Sequence, residues 1–242
     1  VLEGAKAFFE SEAVRKAGEN RGCYEELIHS FSGFMEQLNT QDAFDVYIFC
    51  FSEHNPDDYD GKLSMWRGYG STGAGAALVF DTHKIDPVDD SPLTIAPVFY
   101  ATKEERLEWI SRKIDELSAL IEDNNFEKSC THELAWHFFA RLLVFSLHTK
   151  HKGFEEEQEW RLVYIRKFDD EALADSMLDY FIGQHGVEPK LKLDLKSAPG
   201  LISENFNIED TIDRIILGPT AASPLSQKAF IRMLEKLDLE KL

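Results

Sequence analysis

With 242 residues, 43% of them apolar and 12% aromatic, the chain can bury a sizeable core, and the composition is globular and not disordered. Its 44 acidic residues against 26 basic ones give a formal charge of -18, which argues against a phosphate-backbone footprint as the main binding surface. That leaves a locally basic cleft as the route by which nucleic acid could bind, so it is not the expected main partner. Three cysteines, Cys23, Cys50 and Cys130, are an odd count with no C-x-x-C spacing, which suggests neither a disulfide framework nor a thiolate zinc site and fits a reducing cytoplasm.

No run reaches the roughly 18 consecutive apolar residues of a membrane span, and no charged-then-apolar leader stands at the start, so a cytoplasmic protein without a membrane partner is expected. The chain begins at Val1, without methionine and directly in helix-like sequence, as it would if upstream residues were missing.

Residues 1–40 read as two helices, the second over about residues 25–39 with Leu27, Ile28, Phe31, Phe34, Met35 and Leu38 on one stripe that calls for a partner, expected in the following sheet. Residues 44–52, FDVYIFCFS, are dense in β-favouring side chains on both faces, which predicts a strand inside a sheet. A polar loop with Asn55, Pro56 and Gly61 leads into SMWRGYGSTGAGAALVFD, residues 64–81, the stretch around which the rest is organised.

In that stretch Trp66, Arg67 and Tyr69 offer flat faces and a guanidinium, while Gly68, Gly70, Gly73 and Gly75 permit close backbone approach, so it reads as a pocket wall. Gly68, Gly70 and Gly73 satisfy a G-x-G-x-x-G string. Yet a polar loop precedes it and the strand-like AALVF follows, where a dinucleotide-binding turn needs strand then helix.

A further strand is predicted over residues 93–101, with Pro97 marking an edge or bulge. The period then changes: Leu107, Ile110, Ile114, Leu117 and Ile121, and after DNNFEKS, a second amphipathic run with Leu134, Phe138, Arg141, Leu142 and Phe145, predict an antiparallel helical hairpin inserted at about residues 103–150. Strands follow from Gln158, at residues 190–195 and at residues 211–217, with a closing helix over residues 226–237. The whole reads as one α+β domain over residues 1–242, with a mixed central sheet, N-terminal helices, the inserted hairpin and a C-terminal helix.

The period of two places Glu157, Glu159, Arg161, Val163 and Ile165 on one face, and charges entering an apolar face suggest a strand opening into a cleft. A structural Glu159–Arg161 pair at a strand end also accounts for the pattern, and is its commoner source. Ser52, Ser64, Ser71 and Thr72 could bind a ligand amide or ribose, although Ser64 is also placed to cap the Trp66 turn. His132, His137, His148 and His151 lack metal-ligand spacing, the Asp57, Asp58, Asp60 loop lacks the closing glutamate of a calcium loop, and no G-x-S-x-G elbow occurs; no metal is expected.

CFSE, SMWRGYG, EQEWRLV and IILGP together resemble a widespread bacterial domain-of-unknown-function family, numbered twenty-nine seventy-one, over about Tyr47 to the C-terminus. Members usually open with a strand and a histidine-tyrosine-threonine-like motif before an asparagine-aspartate-proline segment, and this chain starts after that point. That layout resembles the ADP-ribosyltransferase superfamily. The resemblance implies NAD as a substrate, Trp66 and Tyr69 flanking its nicotinamide, Glu159 on the nicotinamide ribose as catalytic carboxylate, and Glu157 orienting or deprotonating an acceptor.

Arg67 or Arg161 would meet phosphate oxygens, with Ser52 among the cofactor-binding residues. Two functions are therefore expected side by side. One is an NAD-consuming, ADP-ribosyltransferase-like transferase or glycohydrolase, in which Trp66, Tyr69 and Glu159 line one cavity. The alternative is a non-enzymatic module in bacterial stress or phage defence that binds a protein partner, in which Arg161 neutralises Glu159.

Overall fold

The computed structural model describes residues 1–40, 45–70, 75–86, 88–183, 186–193, 196–219 and 223–236. In chain order the elements are α1 (Leu2–Phe9), α2 (Glu12–Arg21), α3 (Tyr24–Thr40), β1 (Val46–Ser52), α4 (Leu63–Tyr69), β2 (Ala76–Phe80), β3 (Leu93–Pro97), β4 (Phe99–Ala101), α5 (Lys103–Glu122) and α6 (Thr131–Leu147). They continue with β5 (Thr149–His151), β6 (Glu159–Ile165), β7 (Leu178–Gly183), β8 (Gly186–Leu191), β9 (Lys196–Ala198), β10 (Ile202–Asn207), α7 (Ile208–Thr211), β11 (Ile212–Leu217) and α8 (Pro224–Lys236). The fold is α+β. Phe44, Leu237 and the Asp194–Leu195 end of the strand expected at residues 190–195 lie outside the described residues.

The chain forms two units, one of residues 1–49 and 95–163, the other of residues 50–94 and 164–242. In the first, the N-terminal forty residues make three helices where periodicity suggests two. Ser11 accepts a hydrogen bond from Val14 N, which starts α2 afresh, and Gly22, at φ 65°, closes that helix in the left-handed conformation. The apolar stripe of α3 packs on α6 and α2, not on a sheet. Phe31 meets Phe8 at 4.2 Å and Phe138 at 5.8 Å between ring centroids, and Phe34 meets Phe139 at 5.7 Å. The helices thus bury their aromatic stripes on one another.

The hairpin of α5 and α6 forms where the period predicts it. Thr102 and Glu105 build a reciprocal capping box that sets the start of α5. Arg21 closes the other end, donating to the carbonyls of Glu122 and Asp123 at 2.6 Å each.

The strands divide among small sheets. One has the order β1-β6-β3, so among the described residues β1 lies at an edge of this sheet and β6 is central, the reverse of what the two apolar faces of β1 suggest. Pro97 ends β3, and after Val98 the chain resumes as β4, which pairs in parallel with β5: Phe99 faces Thr149, Tyr100 faces Lys150 and Ala101 faces His151. In the second unit β2 pairs antiparallel with β11 from Ile212 opposite Phe80 to Leu217 opposite Ala76. β7 and β8 form an antiparallel hairpin that the sequence reading does not contain, and β9 pairs with β10.

Candidate functional site

Two groups of the expected site residues can be built up, one in each unit. Glu157, Glu159 and Arg161 belong to the first; Ser52, Trp66, Arg67 and Tyr69 belong to the second.

Glu157 ends a short 3-10 turn, and Gln158, at φ 44°, takes the left-handed conformation before β6 begins at Glu159. The carboxylates on either side of this turn converge on one ammonium. Lys150 Nζ donates to Glu157 Oε2 and lies 3.0 Å from Glu159 Oε2. Arg161, two residues along the same face, donates Nε to Glu159 Oε1 at 2.8 Å and Nη2 to Oε2 at 3.3 Å, while its Nη1 donates to the carbonyl of Leu147.

The backbone of Glu159 is fixed as well. Its N–H donates to the Tyr100 hydroxyl at 2.7 Å and its carbonyl accepts from Val98 N at 2.8 Å. Glu159 is 6% exposed, so a carboxylate costly to desolvate alone is matched by two cations in a short space.

Burial works against the charged form of Lys150, but its hydrogen bonds to Glu157 and Glu159 outweigh that and raise its pKa above the ordinary 10.5. Burial, with the nearby carboxylates of Glu159 and Glu157, likewise raises the Tyr100 phenol above 10.0. Two carboxylates, one ammonium and one guanidinium sum to zero formal charge. Such a paired cluster anchors a strand end well.

Lys150 and Tyr100 are absent from the sequence-derived site. Their signal is the parallel register of two three-residue strands, and no local period announces it.

In the second unit, Leu63–Tyr69 is a single helical stretch, α4, in place of an open loop. Trp66 is 7% exposed and its indole N–H donates to the Asp60 carbonyl at 2.8 Å. Gly61, at φ 72°, and Gly70 both lie against this ring: a Cβ on Gly70 would stand 2.8 Å from the Trp66 carbonyl oxygen and 2.9 Å from the ring itself. These two glycines admit the indole, while a Cβ on Gly68 would meet nothing within 4 Å.

Tyr69 is 71% exposed and Arg67 is exposed on the last turn, where a cation complements the helix C-terminus. Tyr59, equally exposed, lies under the Arg214 guanidinium at 4.6 Å. Ser52 Oγ accepts from Lys62 Nζ at 3.4 Å. Ser64 does not cap α4: the cap position is Lys62, without a side-chain bond, and the Ser64 hydroxyl is buried with no hydrogen-bond partner among the described residues. Ser71, Thr72 and Gly73 lie outside the described residues.

The histidines are engaged separately. His132 Nδ1 pairs with Ser30 Oγ at 3.0 Å, His137 stands 3.5 Å from Glu133, His148 Nδ1 contacts the Val144 carbonyl at 3.1 Å and His151 Nδ1 accepts from Gly153 N at 3.0 Å. Among the described residues no group of three or more His, Cys, Asp or Glu side chains is arranged to hold a metal ion, and no helix is long and apolar enough to cross a membrane.

No curated protein and no solved structure matches the chain. CFSE and IILGP fall outside the stretch that a family model covers, whereas nearly all of SMWRGYG and most of EQEWRLV fall inside it. Residues 65–162, from the Trp66 helix to the Glu159 strand, match the model of the family described as "Protein of unknown function (DUF2971)".

Proposed function

We propose that the chain is a non-enzymatic protein-binding module whose contact surface includes the exposed side chains of the stretch around α4. The observation that carries this reading is the division of labour there: Trp66 is buried and hydrogen-bonded as an anchor, while Tyr59, Leu63 and Tyr69 are exposed. Tyrosine beside arginine is the composition of an interface centre, offering apolar area with few rotatable bonds. The Glu159 cluster serves this reading as a strut, because both carboxylate oxygens already hold cations.

The test is to purify the full chain with its partner from source cells, identify the partner by mass spectrometry and titrate the purified pair. Tyr69→Ala and Tyr59→Ala should weaken binding by about 10- to 100-fold while Glu159→Gln leaves it unchanged. Undiminished binding by both tyrosine variants discards the proposal.

A second reading, NAD-consuming glycosyl transfer, has one observation in its favour: the Glu157 and Glu159 carboxylates meet on a single ammonium at the start of a central strand. A carboxylate fixed in this way would stabilise the oxocarbenium-like centre formed as the bond between nicotinamide and ribose breaks, once a cation is released from it. Its test is nicotinamide release from NAD by the purified chain, abolished by Glu159→Gln with the fold retained. Absence of release removes this reading.

A further inference from the structure

A trough of about 310 Å³ opens at the end of the α5–α6 hairpin, in the first unit. Because α5 stops at Glu122 and α6 starts at Thr131, the turn between them brings Phe126 in beside Leu120 and Leu134. Leu120 is 57% exposed and the other two are half-buried, so this apolar floor is in contact with water. From Cys130, just before α6, through Glu133 and Leu134 to His137, the lining follows one helical face for about 10 Å. The trough is open to solvent, unlike the enclosed pockets that bury small molecules, so its shape suits a helical segment laid into it.

Charge decides which segment. Asp123 and Glu133 stand on the lining, which includes no lysine or arginine. The Asp123 carboxylate accepts from Asn125 N at 2.7 Å, and Glu133 stands 3.5 Å from His137 Nε2. Neither has a lysine or arginine at ion-pair distance among the described residues, and Arg21, at the same end of the hairpin, is engaged by the Glu122 and Asp123 carbonyls. Elsewhere in this unit helical carboxylates do have lysine partners: Glu12 meets Lys16 at 3.0 Å and Glu116 meets Lys113 at 2.6 Å. The formal charge of -18 adds attraction for a cationic partner and repels an acidic one or a second copy.

We propose that this trough docks a basic amphipathic helix of a protein partner, with its apolar side chains on Leu120, Phe126 and Leu134 and its lysines or arginines against Asp123 and Glu133. The site is separate from the α4 surface, and its test does not depend on that surface.

The probe is a labelled synthetic helix with leucines at i, i+3, i+4 and i+7 and lysines between them. Fluorescence anisotropy with the full chain should show saturable binding. Glu133→Lys and Leu120→Asp should each raise the dissociation constant at least about tenfold. Glu108→Lys makes the same change in net charge about 18 Å back along α5, beyond the screening length, and should change it by no more than about twofold. All three positions are exposed, and circular dichroism reads whether each variant stays folded. Bound peptide should also slow iodoacetamide alkylation of Cys130 and leave that of the exposed Cys50 as it was.

Four outcomes overturn the proposal. They are no saturation at high micromolar peptide, binding indifferent to both trough variants, equal loss with Glu108→Lys, and unchanged alkylation of Cys130. A lysine–serine peptide of the same length that binds as tightly also overturns it, since the apolar floor would then take no part.

Discussion

The Glu159 strand end and the Trp66 helix look alike in sequence, each a short run of charged and aromatic residues beside an irregular stretch, but they bury their unusual side chains in opposite ways. At Glu159 the polar groups turn inward and pair: two carboxylates meet one ammonium and one guanidinium, and a phenol accepts from the Glu159 backbone N–H. At Trp66 the large apolar group turns inward and the remaining aromatics face out. A cancelled cluster is suited to holding a strand in place, whereas exposed tyrosines are suited to contact.

The sharpest way to break this contrast is Arg161→Met. It leaves the buried Glu159 carboxylate with Lys150 as its remaining cation in the cluster and removes a donor from the Leu147 carbonyl, so it should cost about 3–5 kcal/mol. Thermal melts should fall by roughly 10 °C or more. Adding Glu159→Gln to the same chain should recover part of the loss, because the uncompensated charge is then gone. A single-variant loss below about 1 kcal/mol would show that the cluster does not hold the strand end.

The glycines beside Trp66 give the next effect. Gly70→Ala places a Cβ against the Trp66 carbonyl and ring, and should cost about 1–3 kcal/mol in denaturant titrations. Gly68→Ala, inside α4 with open space around it, should instead stabilise by about 0.5–1 kcal/mol. Equal effects at the two positions would contradict an indole-accommodating role for Gly70.

A smaller effect lies in pH. Folding raises the pKa of Lys150 and of Tyr100, so the folded chain holds protons that the unfolded chain releases near 10.5 and 10.0. Stability from both groups is complete below those unfolded values and declines as pH rises through and beyond them. Burial, then the bond to Asp169, raises Tyr164 in the same direction. Urea titrations above about pH 10 should show this decline, and Lys150→Met should remove the Lys150 part of it while the tyrosine part remains.

Much of this was legible because period survives local detail. The stripes of α5 and α6, the break at Pro97 and the shared face of Glu159 and Arg161 all follow from residue spacing alone. The partners of Glu159 were not legible, since Lys150 and Tyr100 meet it through a parallel register of three-residue strands about fifty residues apart, a long-range pairing with no periodic trace. The edge position of β1 was misread because apolar faces report what a strand can pack against, not how many strands flank it.

The buried state of Trp66 was hidden for another reason. A seven-residue helix is too short for its period to say which side faces in, and the glycines that admit the indole read equally well as ligand-approach positions. The β7–β8 hairpin was missed because Pro189 and the apolar Phe181 on the charged side break the pattern that marks a strand.

The smallest change in stability should come from Tyr69→Ala, and there the two regions separate most cleanly. Tyr69 is largely exposed at the end of α4, so its truncation should shift unfolding by no more than about 0.5 kcal/mol. If the outward aromatics are contact residues, the same variant should lower partner affinity by a factor that its stability does not predict, while Arg161→Met does the reverse, lowering stability and sparing affinity at a temperature where the fold persists. Calorimetric titration of both variants against the purified partner reads the two quantities independently. A Tyr69→Ala chain that binds as the parent does would show that outward-facing aromatics near a buried tryptophan are ordinary surface, and the functional contrast between the regions would disappear.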